Sequence, residues 1–325
     1  MLIFKRPFTD PYLNIAAEEY FVKHSSEDMC MIWVNEPSVI IGKHQNAYAE
    51  INYPYVRAEN IPLIRRISGG GAVYHDNGNL NFTFIKKTEK TNQVDFSRFT
   101  SVIVAFLKSF GLEINISKRN SLFIGKRKFS GHAEHIFHER VLHHGTILFN
   151  TNLEALQNSL NPGINYAGKA MASVRDEVLN IASLLPDNMD INQFSERLVS
   201  WLLAYYPESK GYEMNHDEFE AIHQLAETKY KTWQWNFGYS PAYSFSVRIP
   251  LFSGTAPAIA KVENGCFVQI DQPAGNNDVQ LTEILQNMIG LQHNEDEIRL
   301  FVEKNIKTLE LAGVNSVYYT ESFFK

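Results

Sequence analysis

The chain has 325 residues, of which 30 are Lys or Arg and 36 are Asp or Glu, giving a net charge of -6. This charge excludes a general polyanion-binding surface, so nucleic acid is not expected as a main partner and any anion site must be local. Two cysteines exclude a disulfide framework, and the lack of a long apolar run or a leader pattern predicts a cytoplasmic protein with no membrane partner.

The first part of the chain is predicted to begin with a helix and continue into strands. Asp10 and Pro11 form a helix-start signal, and apolar residues then recur at helical spacing. Residues 29–46 indicate two strands interrupted at Pro37, since proline and the residue before it resist helix continuation. In residues 79–84 apolar and polar side chains alternate, which predicts a strand that is buried on one face.

The middle of the chain alternates between helical and strand patterns. Residues 95–110 predict a helix with Asp95 as its N-cap and Gly111 as a left-handed C-cap. The sequence "SLFIGKRKFS" is typical of a hairpin that turns near Gly125, and "RVLHHGTILFN" of another strand. Helical patterns follow in three further segments, residues 151–160, 191–206 and 217–230.

The aromatic-rich stretch "TWQWNFGYSPAYSF" contains glycine and proline and predicts a boundary between two domains. We expect a large domain at residues 1–240, a linker at 241–247 and a small α+β domain at 248–325. The small domain is predicted to contain strands joined by an Asn-Gly turn, followed by two helices at residues 278–290 and 295–312.

The segment "RRISGGG", residues 65–71, combines two arginines with three consecutive glycines. Glycines give the backbone access to positive φ and remove side chains, so that main-chain N–H groups can approach a bulky anion. Arg65 and Arg66 offer paired donors that match carboxylate or phosphate oxygens. The segment matches neither the P-loop nor the Rossmann fingerprint, because a strand follows the glycines. The pattern is compatible with an anion-binding loop or with a glycine-rich turn carrying two solvated arginines.

Lys128 follows the predicted hairpin turn, where it is either a point charge for an anionic intermediate or a solvated lysine. Five histidines fall between residues 132 and 144. Their spacing matches no zinc motif and the surrounding pattern is not consistently helical, which disfavours a structural transition-metal site. We interpret His144 as a wall of a ligand pocket or as a core histidine with satisfied hydrogen bonds.

Five motifs, "RRISGGGAVYHDNGNLNFTF", "RKFSGHA", "LHHGTILFN", "LNP" and "WQWNFG", resemble in order and spacing those of the lipoate–protein ligases of the A type. The resemblance covers the chain to about residue 240, and the remainder resembles the accessory domain of bacterial ligases of this type. It implies an α+β fold with a biotin/lipoyl-ligase-like catalytic domain at residues 1–240, whose mixed and antiparallel sheets are flanked by helices. The accessory domain is expected at residues 248–325.

The resemblance also implies a reaction and a set of site residues. Lipoate and ATP form lipoyl-AMP and pyrophosphate, and the lipoyl group then passes to a lysine of a carrier domain. Lys128 is expected to be the main electrostatic catalyst at the carboxylate and the α-phosphate. Magnesium is expected with ATP, and its protein ligands are not assigned. The residues expected to bind ATP or lipoyl-AMP are Arg66, Ser68, Gly71, Ala72, Val73, Tyr74, His75, Asn120, Lys128, Ser130 and His144.

The partners implied are lipoyl carrier domains, namely those of 2-oxoacid dehydrogenase E2 subunits and the glycine cleavage H protein, and the family suggests a monomer. The chain departs from the family pattern at two places. Asn120 is followed by Ser121 instead of an aspartate, which puts the metal site in doubt. Asp176 and Glu177 replace a serine and a basic residue, where we expect altered contacts and intact chemistry.

Three alternatives are open. An ATP-independent octanoyl or lipoyl transferase of the same fold would need an activated thiol near the lysine, whereas Cys30 lies in an apolar strand pattern and Cys266 in the accessory domain. A biotin ligase would share the fold but has a different glycine loop. The third alternative is a catalytically degenerate protein that binds lipoate or an adenylate, and Ser121 is the feature that suggests it.

Overall fold

The computed structural model describes residues 1–6, 8–88, 96–271 and 279–324. Its α-helices are α1 Pro11–His24, α2 Ala47–Glu50, α3 Tyr53–Ala58, α4 Phe96–Lys108, α5 Leu153–Ser159, α6 Ile191–Tyr205, α7 His216–Leu225, α8 Val279–Asn287, α9 Glu295–Leu311 and α10 Ser316–Tyr319. Its strands are β1 Leu2–Lys5, β2 Met29–Val34, β3 Ser38–Ile41, β4 Leu63–Arg65, β5 Val73–His75, β6 Asn79–Lys87, β7 Asn115–Ile116, β8 Leu122–Ile124, β9 Arg127–Ser130, β10 His132–Phe137, β11 Arg140–Leu148, β12 Tyr166–Gly168, β13 Lys210–Gly211, β14 Tyr243–Leu251, β15 Gly254–Glu263 and β16 Cys266–Asp271.

The chain groups into two compact units. Unit 1 comprises Met1–Lys43, Pro62–Gln157 and Ser173–Thr232, and unit 2 comprises His44–Ile61, Asn158–Ala172 and Trp233–Lys325. The predicted linker at residues 241–247 is largely strand, because β14 begins at Tyr243. The division into a catalytic and an accessory domain at residue 240 stays a prediction.

Helix α1 begins where the sequence predicts. The Asp10 side chain accepts hydrogen bonds from the main-chain N–H groups of Tyr12 and Leu13, at 2.7 and 3.1 Å, and Pro11 occupies the first turn. These contacts satisfy N–H groups that have no partner inside the helix. The helix is buried along much of its length, and its buried residues include the acidic pair Glu18 and Glu19. The site described below depends on the first of these two carboxylates.

The main sheet of unit 1 has the strand order β10-β11-β6-β2-β1-β13 within the described residues. Strands β1 and β2 are parallel, and β6 is antiparallel to both of its neighbours. Apolar side chains of β2 and β6 form one core with helices α4 and α6. This core fixes the strands that carry the site residues, and the fold is mixed α+β, as the sequence predicts.

Strand β6 is buried on both faces, so the prediction of one buried face is wrong. Phe82 and Phe84 face the apolar core, as predicted. The alternate residues are also buried, because Thr83 points toward α1 and donates to the Glu18 carboxylate at 2.6 Å. Trp33 Nε1 in turn donates to the Thr83 hydroxyl at 2.9 Å. At Thr83 the polar face of the strand therefore meets a helix, and the hydroxyl is satisfied by hydrogen bonds.

Two small sheets carry the predicted site segments. In the sheet β4-β3-β5, residues 66–72 connect β4 to β5, so the glycines lie in a loop between two strands that flank β3. In the sheet β7-β8-β9, the β8–β9 hairpin turns at Gly125, whose φ is 59°, and places Lys128 on β9. The hairpin and its turn are confirmed.

The other predicted elements of unit 1 are also present. Helix α4 ends before Gly111, which has a φ of 81° and donates its N–H to the Lys108 carbonyl at 2.9 Å. The predicted N-cap Asp95 lies outside the described residues. Strand β11 and helices α5, α6 and α7 fall within the predicted segments to within one or two residues, and a π-helical turn at Ala226–Tyr230 follows α7.

Unit 2 is organised around the sheet β12-β14-β15-β16. Along β15, buried and exposed residues alternate, and the buried ones join a core with residues of α8 and α9. The predicted Asn-Gly turn is confirmed, since Asn264 and Gly265 both have positive φ, 51° and 79°. Both predicted C-terminal helices are present as α8 and α9; residue 278 lies outside the described residues.

Candidate adenylation site

The three glycines of residues 69–71 have different roles. Of these three, Gly70 has a φ of 90°, the left-handed region that favours glycine. A Cβ on Gly71 would lie 3.0 Å from the Ser173 hydroxyl, whereas a Cβ on Gly69 would meet no atom within 4 Å. The expectation that the run provides positive φ therefore applies at Gly70, and close packing is the reason for glycine at residue 71.

Gly42, which the sequence analysis missed, packs directly against the loop. A Cβ at this position would lie 2.2 Å from the Gly70 carbonyl oxygen, so only a glycine fits. Arg65, which is fully buried, donates through Nη1 to the carbonyls of Gly42 and Lys43 at 3.2 and 3.1 Å. These hydrogen bonds fix the backbone of Gly42 and Lys43 next to the loop. The interpretation of Arg65 as a solvated residue is wrong.

The guanidinium of Arg66 points into the protein. Its Nη2 donates to the carbonyl oxygens of Gly69 and Gly71 at 2.6 and 2.9 Å. Nη1 donates to the Ile40 carbonyl at 3.1 Å, and Nε donates to the Ser68 hydroxyl at 2.9 Å. Burial lowers the Arg66 pKa to about 10, and the Glu18 carboxylate opposes this shift. Arg66 is therefore charged at neutral pH and holds the loop from inside.

These hydrogen bonds fix the direction of the loop amides. In a trans peptide the C=O and the following N–H point in opposite directions. Because the Gly69 and Gly71 carbonyls point toward Arg66, the N–H groups of Gly70 and Ala72 point away from it. The Ala72 N–H indeed donates to the Ser173 hydroxyl at 2.8 Å. The amides of Gly70 and Ala72 are thus two donors on the outward side of the loop, and outward main-chain N–H groups are suitable donors for an anion.

The predicted binding residues Val73, Tyr74 and His75 form β5, paired with β3. Asn35 Nδ2 lies 3.0 Å from His75 Nδ1, so this nitrogen accepts and Nε2 carries the hydrogen. Burial, followed by the charge of Arg66 and the nearby His144, lowers the His75 pKa to about 3. His75 is thus a neutral donor, and its buried Nε2 has no hydrogen-bond partner among the described residues.

Lys128 lies on β9 with its ammonium at the edge of the protein surface. Its main chain is fixed on both sides, since its N–H donates to the Glu177 carbonyl and its carbonyl accepts from the Leu179 N–H. Its Nζ donates to Asp176 Oδ2 at 3.2 Å. A Cβ on Gly131 would lie 3.5 Å from Lys128 Cε, in ordinary van der Waals contact. The predicted catalyst therefore has a carboxylate partner.

One short segment, residues 173–176, contacts both parts of the predicted site. The Ser173 hydroxyl accepts from Ala72 in the glycine loop, and the Asp176 carboxylate accepts from Lys128 on the hairpin. The loop and the lysine, 56 positions apart in the numbering, are thus both bonded to one four-residue segment. Asp176, where the sequence predicts altered contacts, forms an ion pair with Lys128; that this contact differs from the family's stays a prediction.

His144 and Ser68, both predicted site residues, form a direct contact. Ser68 Oγ lies 2.7 Å from His144 Nε2, and His144 Nδ1 lies 2.8 Å from Glu18 Oε1. Both the serine and the glutamate are almost fully buried. Glu18 is a site residue that no sequence motif predicts; an acidic pair on an otherwise apolar helix face is the available signal.

The other predicted serine, Ser130, belongs to a second chain of buried polar groups. Its hydroxyl lies 3.0 Å from His132 Nε2, and His132 Nδ1 lies 3.0 Å from His143 Nε2. His143 Nδ1 contacts Glu134 at 2.7 Å. Burial lowers the pKa of His132 well below its usual range and that of His143 to about 3. These neutral histidines bond to one another, and no cluster of three metal-ligating side chains occurs in the described ranges.

Asn120 and Ser121 lie in the turn before β8. Asn120 has a φ of 60°, and the main-chain N–H of Ser121 donates to the Ser117 hydroxyl at 3.1 Å. These two side chains offer neutral oxygens, and the carboxylate of Asp176 is paired with Lys128. A magnesium site usually includes one or two carboxylates. These residues do not by themselves fit a protein-held magnesium ion.

Neither cysteine resembles an activated nucleophile. Cys30 is fully buried in β2, and burial raises the pKa of its thiol. Cys266 lies in β16 of unit 2, where burial also raises its pKa. A reactive thiol requires a lowered pKa and access to solvent.

Within the described residues, no helix is both long and apolar enough to cross a membrane.

The chain is similar in sequence to known proteins along most of its length. The family model of the lipoyl protein ligase A/B catalytic domain matches residues 10–203. Lipoate–protein ligase 1 of Staphylococcus aureus is 37% identical over 287 residues, a match covering 87% of this chain and 83% of that protein. Lipoate–protein ligase LplJ of Bacillus subtilis is 36% identical over 333 residues, covering 98% and 96%.

Solved structures share the fold. LipL1 of P. falciparum, in complex with lipoate, superposes with a TM-score of 0.62 at 22% identity, covering 96% of this chain and 98% of that one. A lipoate–protein ligase A bound with ATP superposes with a TM-score of 0.62 at 24% identity, covering 73% of this chain and 98% of that one. The predicted fold class is confirmed.

Proposed function

The chain belongs to the lipoyl protein ligase A/B family, and from this we propose that its glycine loop and Lys128 form the site where lipoate reacts with ATP. It is a lipoate–protein ligase, an enzyme that uses ATP to join lipoate to protein lysines. The observation that carries the site proposal is the segment 173–176, whose oxygens meet both a loop amide and the Lys128 ammonium.

The protein oxygens that accept hydrogen bonds from the loop amide and from Lys128 indicate which ligands the site can bind. The Ala72 amide holds a hydroxyl oxygen and Lys128 holds a carboxylate oxygen. Phosphate oxygens are stronger acceptors than the Ser173 hydroxyl because they carry charge, and a substrate carboxylate is an acceptor of the same kind as Asp176. We therefore place the α-phosphate of ATP at the amides of Gly70 and Ala72, and the lipoate carboxylate at Lys128. Solved structures that share this fold include one protein with ATP bound and another with lipoic acid bound.

In the first step a lipoate carboxylate oxygen attacks the α-phosphorus. A new P–O bond forms while the bond to the pyrophosphate oxygen breaks, and pyrophosphate leaves with the electron pair. Negative charge increases on the α-phosphate oxygens during this step. The fixed amides and the Lys128 ammonium lower the barrier, because they are already oriented toward that charge. Arg66 contributes from behind the loop by fixing the amides.

In the second step the amine of an acceptor lysine attacks the acyl carbon of lipoyl-AMP. The bond from that carbon to the phosphate oxygen breaks, AMP leaves with the electron pair, and the new amide nitrogen loses a proton. Lys128 polarises the acyl oxygen and stabilises the negative charge that forms on it. The same ammonium can serve both steps, since the carboxylate oxygens of step one become the acyl oxygen and the bridging oxygen of the mixed anhydride in step two.

The acceptors are proposed to be lipoyl carrier domains of E2 subunits and the H protein. A bipartite ligase from Thermoplasma acidophilum, related by fold, has been described together with its E2 lipoyl domain. We propose that magnesium enters with ATP and is held mainly by phosphate oxygens, which fits the neutral side chains of Asn120 and Ser121. A monomer in the cytoplasm remains the expectation.

The reaction is tested by pyrophosphate release from lipoate and ATP. Wild-type protein should release pyrophosphate, and Lys128→Ala should lower the rate by about 10²–10³-fold, since it removes a charge at the reacting oxygens. Lys126→Ala is the matched control, because Lys126 is exposed in the turn of the same hairpin. Absence of lipoyl-AMP at saturating ATP and magnesium in the wild type would refute the proposal. Octanoyl carrier protein in place of ATP tests the transferase alternative in the same assay.

A further inference from the structure

We propose that Glu18 and His144 are positioning residues that set the direction of the glycine-loop amides through Ser68 and Arg66. The four residues form a continuous chain of hydrogen bonds, here called the Glu18 relay. The relay ends at the carbonyls of Gly69 and Gly71. The ligand expected at these amides is the lipoyl-AMP of the proposed function, and the part of the inference that concerns ligand binding rests on that proposal.

The hydrogen bonds of the relay have a defined direction. Arg66 Nε can only donate, so Ser68 Oγ accepts at 2.9 Å and its own hydrogen must be donated elsewhere. His144 Nε2 lies 2.7 Å from this hydroxyl, whereas the Gly69 carbonyl lies at 3.5 Å. The hydroxyl therefore donates to His144. Because a carboxylate oxygen can only accept, the Nδ1 of His144 carries the hydrogen that faces Glu18.

Glu18 completes the relay and supplies its charge. His144 Nδ1 donates to the carboxylate, and Thr83 donates to it as well at 2.6 Å. A buried carboxylate needs charge-assisted hydrogen bonds or an opposite charge. Here the opposite charges are the guanidinium groups of Arg66 and Arg6, and the carboxylate raises the pKa of both against the effect of burial. Glu18 thus stabilises the charged form of the residue that holds the loop.

Through Arg66, the relay determines the direction in which the loop N–H groups point. Arg66 contacts the carbonyls on either side of Gly70, and each contact turns the following N–H outward. If the relay is broken, the guanidinium loses a fixed acceptor at Nε and can rotate. The loop carbonyls then lose their common donor, and the amides of Gly70 and Ala72 no longer share one direction.

The test uses Glu18→Gln, which removes the charge at constant shape, and Ser68→Ala, which cuts the relay without changing a charge. The control is Ser195→Ala, since Ser195 is equally buried in unit 1 and its hydroxyl donates to the Asn192 carbonyl at 2.8 Å. Hydrogen exchange of the peptide spanning residues 66–72 is measured without any ligand. We expect about tenfold faster exchange in the two relay variants and no change in the control.

A second measurement asks whether the effect reaches the ligand. A non-hydrolysable lipoyl-AMP analogue should bind about tenfold more weakly to each relay variant. The double variant should bind no more weakly than the single ones, because both substitutions interrupt the same chain. A purely structural role would lower the unfolding temperature and leave the affinity of the folded variants unchanged.

The outcomes separate the inference from the proposed function. Unchanged exchange in residues 66–72 overturns the relay whatever the ligand. Faster exchange with unchanged analogue affinity also overturns it, since the loop would then be loosened without effect on binding. If the wild type does not bind the analogue, the proposed function fails, and the exchange result alone decides whether the relay positions the loop.

Discussion

Lys128 Nζ lies 3.2 Å from Asp176 Oδ2, so the residue predicted to meet a substrate carboxylate already holds one from the protein. Both side chains are partly exposed, at 26% and 31%. Ion pairs in such positions are worth roughly 0.2–1 kcal/mol, because water screens them. The pair is therefore weak enough for a charged substrate to replace it.

We predict that Asp176→Asn strengthens binding of a lipoyl-AMP analogue. Removing the carboxylate leaves Lys128 without an internal competitor, and 0.2–1 kcal/mol corresponds to an affinity gain of up to about fivefold. Calorimetric titration of both proteins checks this. Asp187→Asn is the control, since Asp187 forms an exposed ion pair with Arg197 elsewhere in unit 1. Weaker binding by Asp176→Asn would instead assign the carboxylate a supporting role.

Gly42→Ala should damage the site without a change in any donor or acceptor. The new Cβ would lie 2.2 Å from the Gly70 carbonyl oxygen, and backbone cannot move aside as a flexible side chain does. We expect analogue affinity to fall by about tenfold or more, since the loop amides must shift. Gly211→Ala is the control, because a Cβ there meets no atom within 4 Å.

Within the loop, Gly70→Ala should be more harmful than Gly69→Ala. An alanine at residue 70 would be held in the left-handed region, at a cost of about 1–2 kcal/mol, and its Cβ would lie 2.9 Å from Arg66 Nη2. At residue 69 the space is open. Thermal unfolding and analogue binding of the two variants provide the comparison; equal losses would contradict this assignment of roles.

Stability should fall in mild acid. Burial is the largest cause that lowers the pKa values of His75, His143 and His293 to about 3. An unfolded histidine has a pKa of about 6.5, so below that pH the unfolded chain binds more protons than the folded one. Each histidine then contributes a loss of about 2 kcal/mol between pH 7.5 and pH 5. Urea unfolding at the two pH values measures the sum.

The contribution of one histidine can be isolated in unit 2. His293 Nδ1 lies 2.6 Å from the Tyr243 hydroxyl and Nε2 donates to the Phe323 carbonyl at 3.1 Å, so a neutral ring with its hydrogen on Nε2 has a partner at both nitrogens. His293→Gln removes the titration, so the pH dependence of unfolding should shrink by about 2 kcal/mol over the same interval. An unchanged pH dependence would show that His293 is not the source.

Those parts of the fold and the site that depend on short-range sequence patterns could be predicted from the sequence. The Asp10 cap, the turn at Gly125 and the glycine loop all depend on neighbouring residues. The contacts that orient the site join distant residues: Lys128 and Asp176 are 48 positions apart, Ser68 and His144 are 76 apart. Spacing carries no information about such pairs. For this reason Arg66 could be identified as a site residue, whereas its inward direction could not.

Strand β6 illustrates the same limit for the fold. Its alternation indicated correctly which residues face the apolar core. Polar residues on the other face suggested solvent, but they are buried, and Thr83 donates to Glu18 of helix α1. A polar side chain is compatible with water or with a buried partner, and only the tertiary packing decides between them.

The inward direction of Arg66 also affects how the site responds to substitution. The groups that face away from it are main-chain N–H groups, which nearly every amino acid possesses. Replacing the side chain of Ala72 with another leaves its donor in place, unless the new residue is proline. The donors themselves cannot be mutated away. Their direction can be changed only by substituting residues that orient the loop, such as Gly42 and Glu18, which lie outside the recognisable motif.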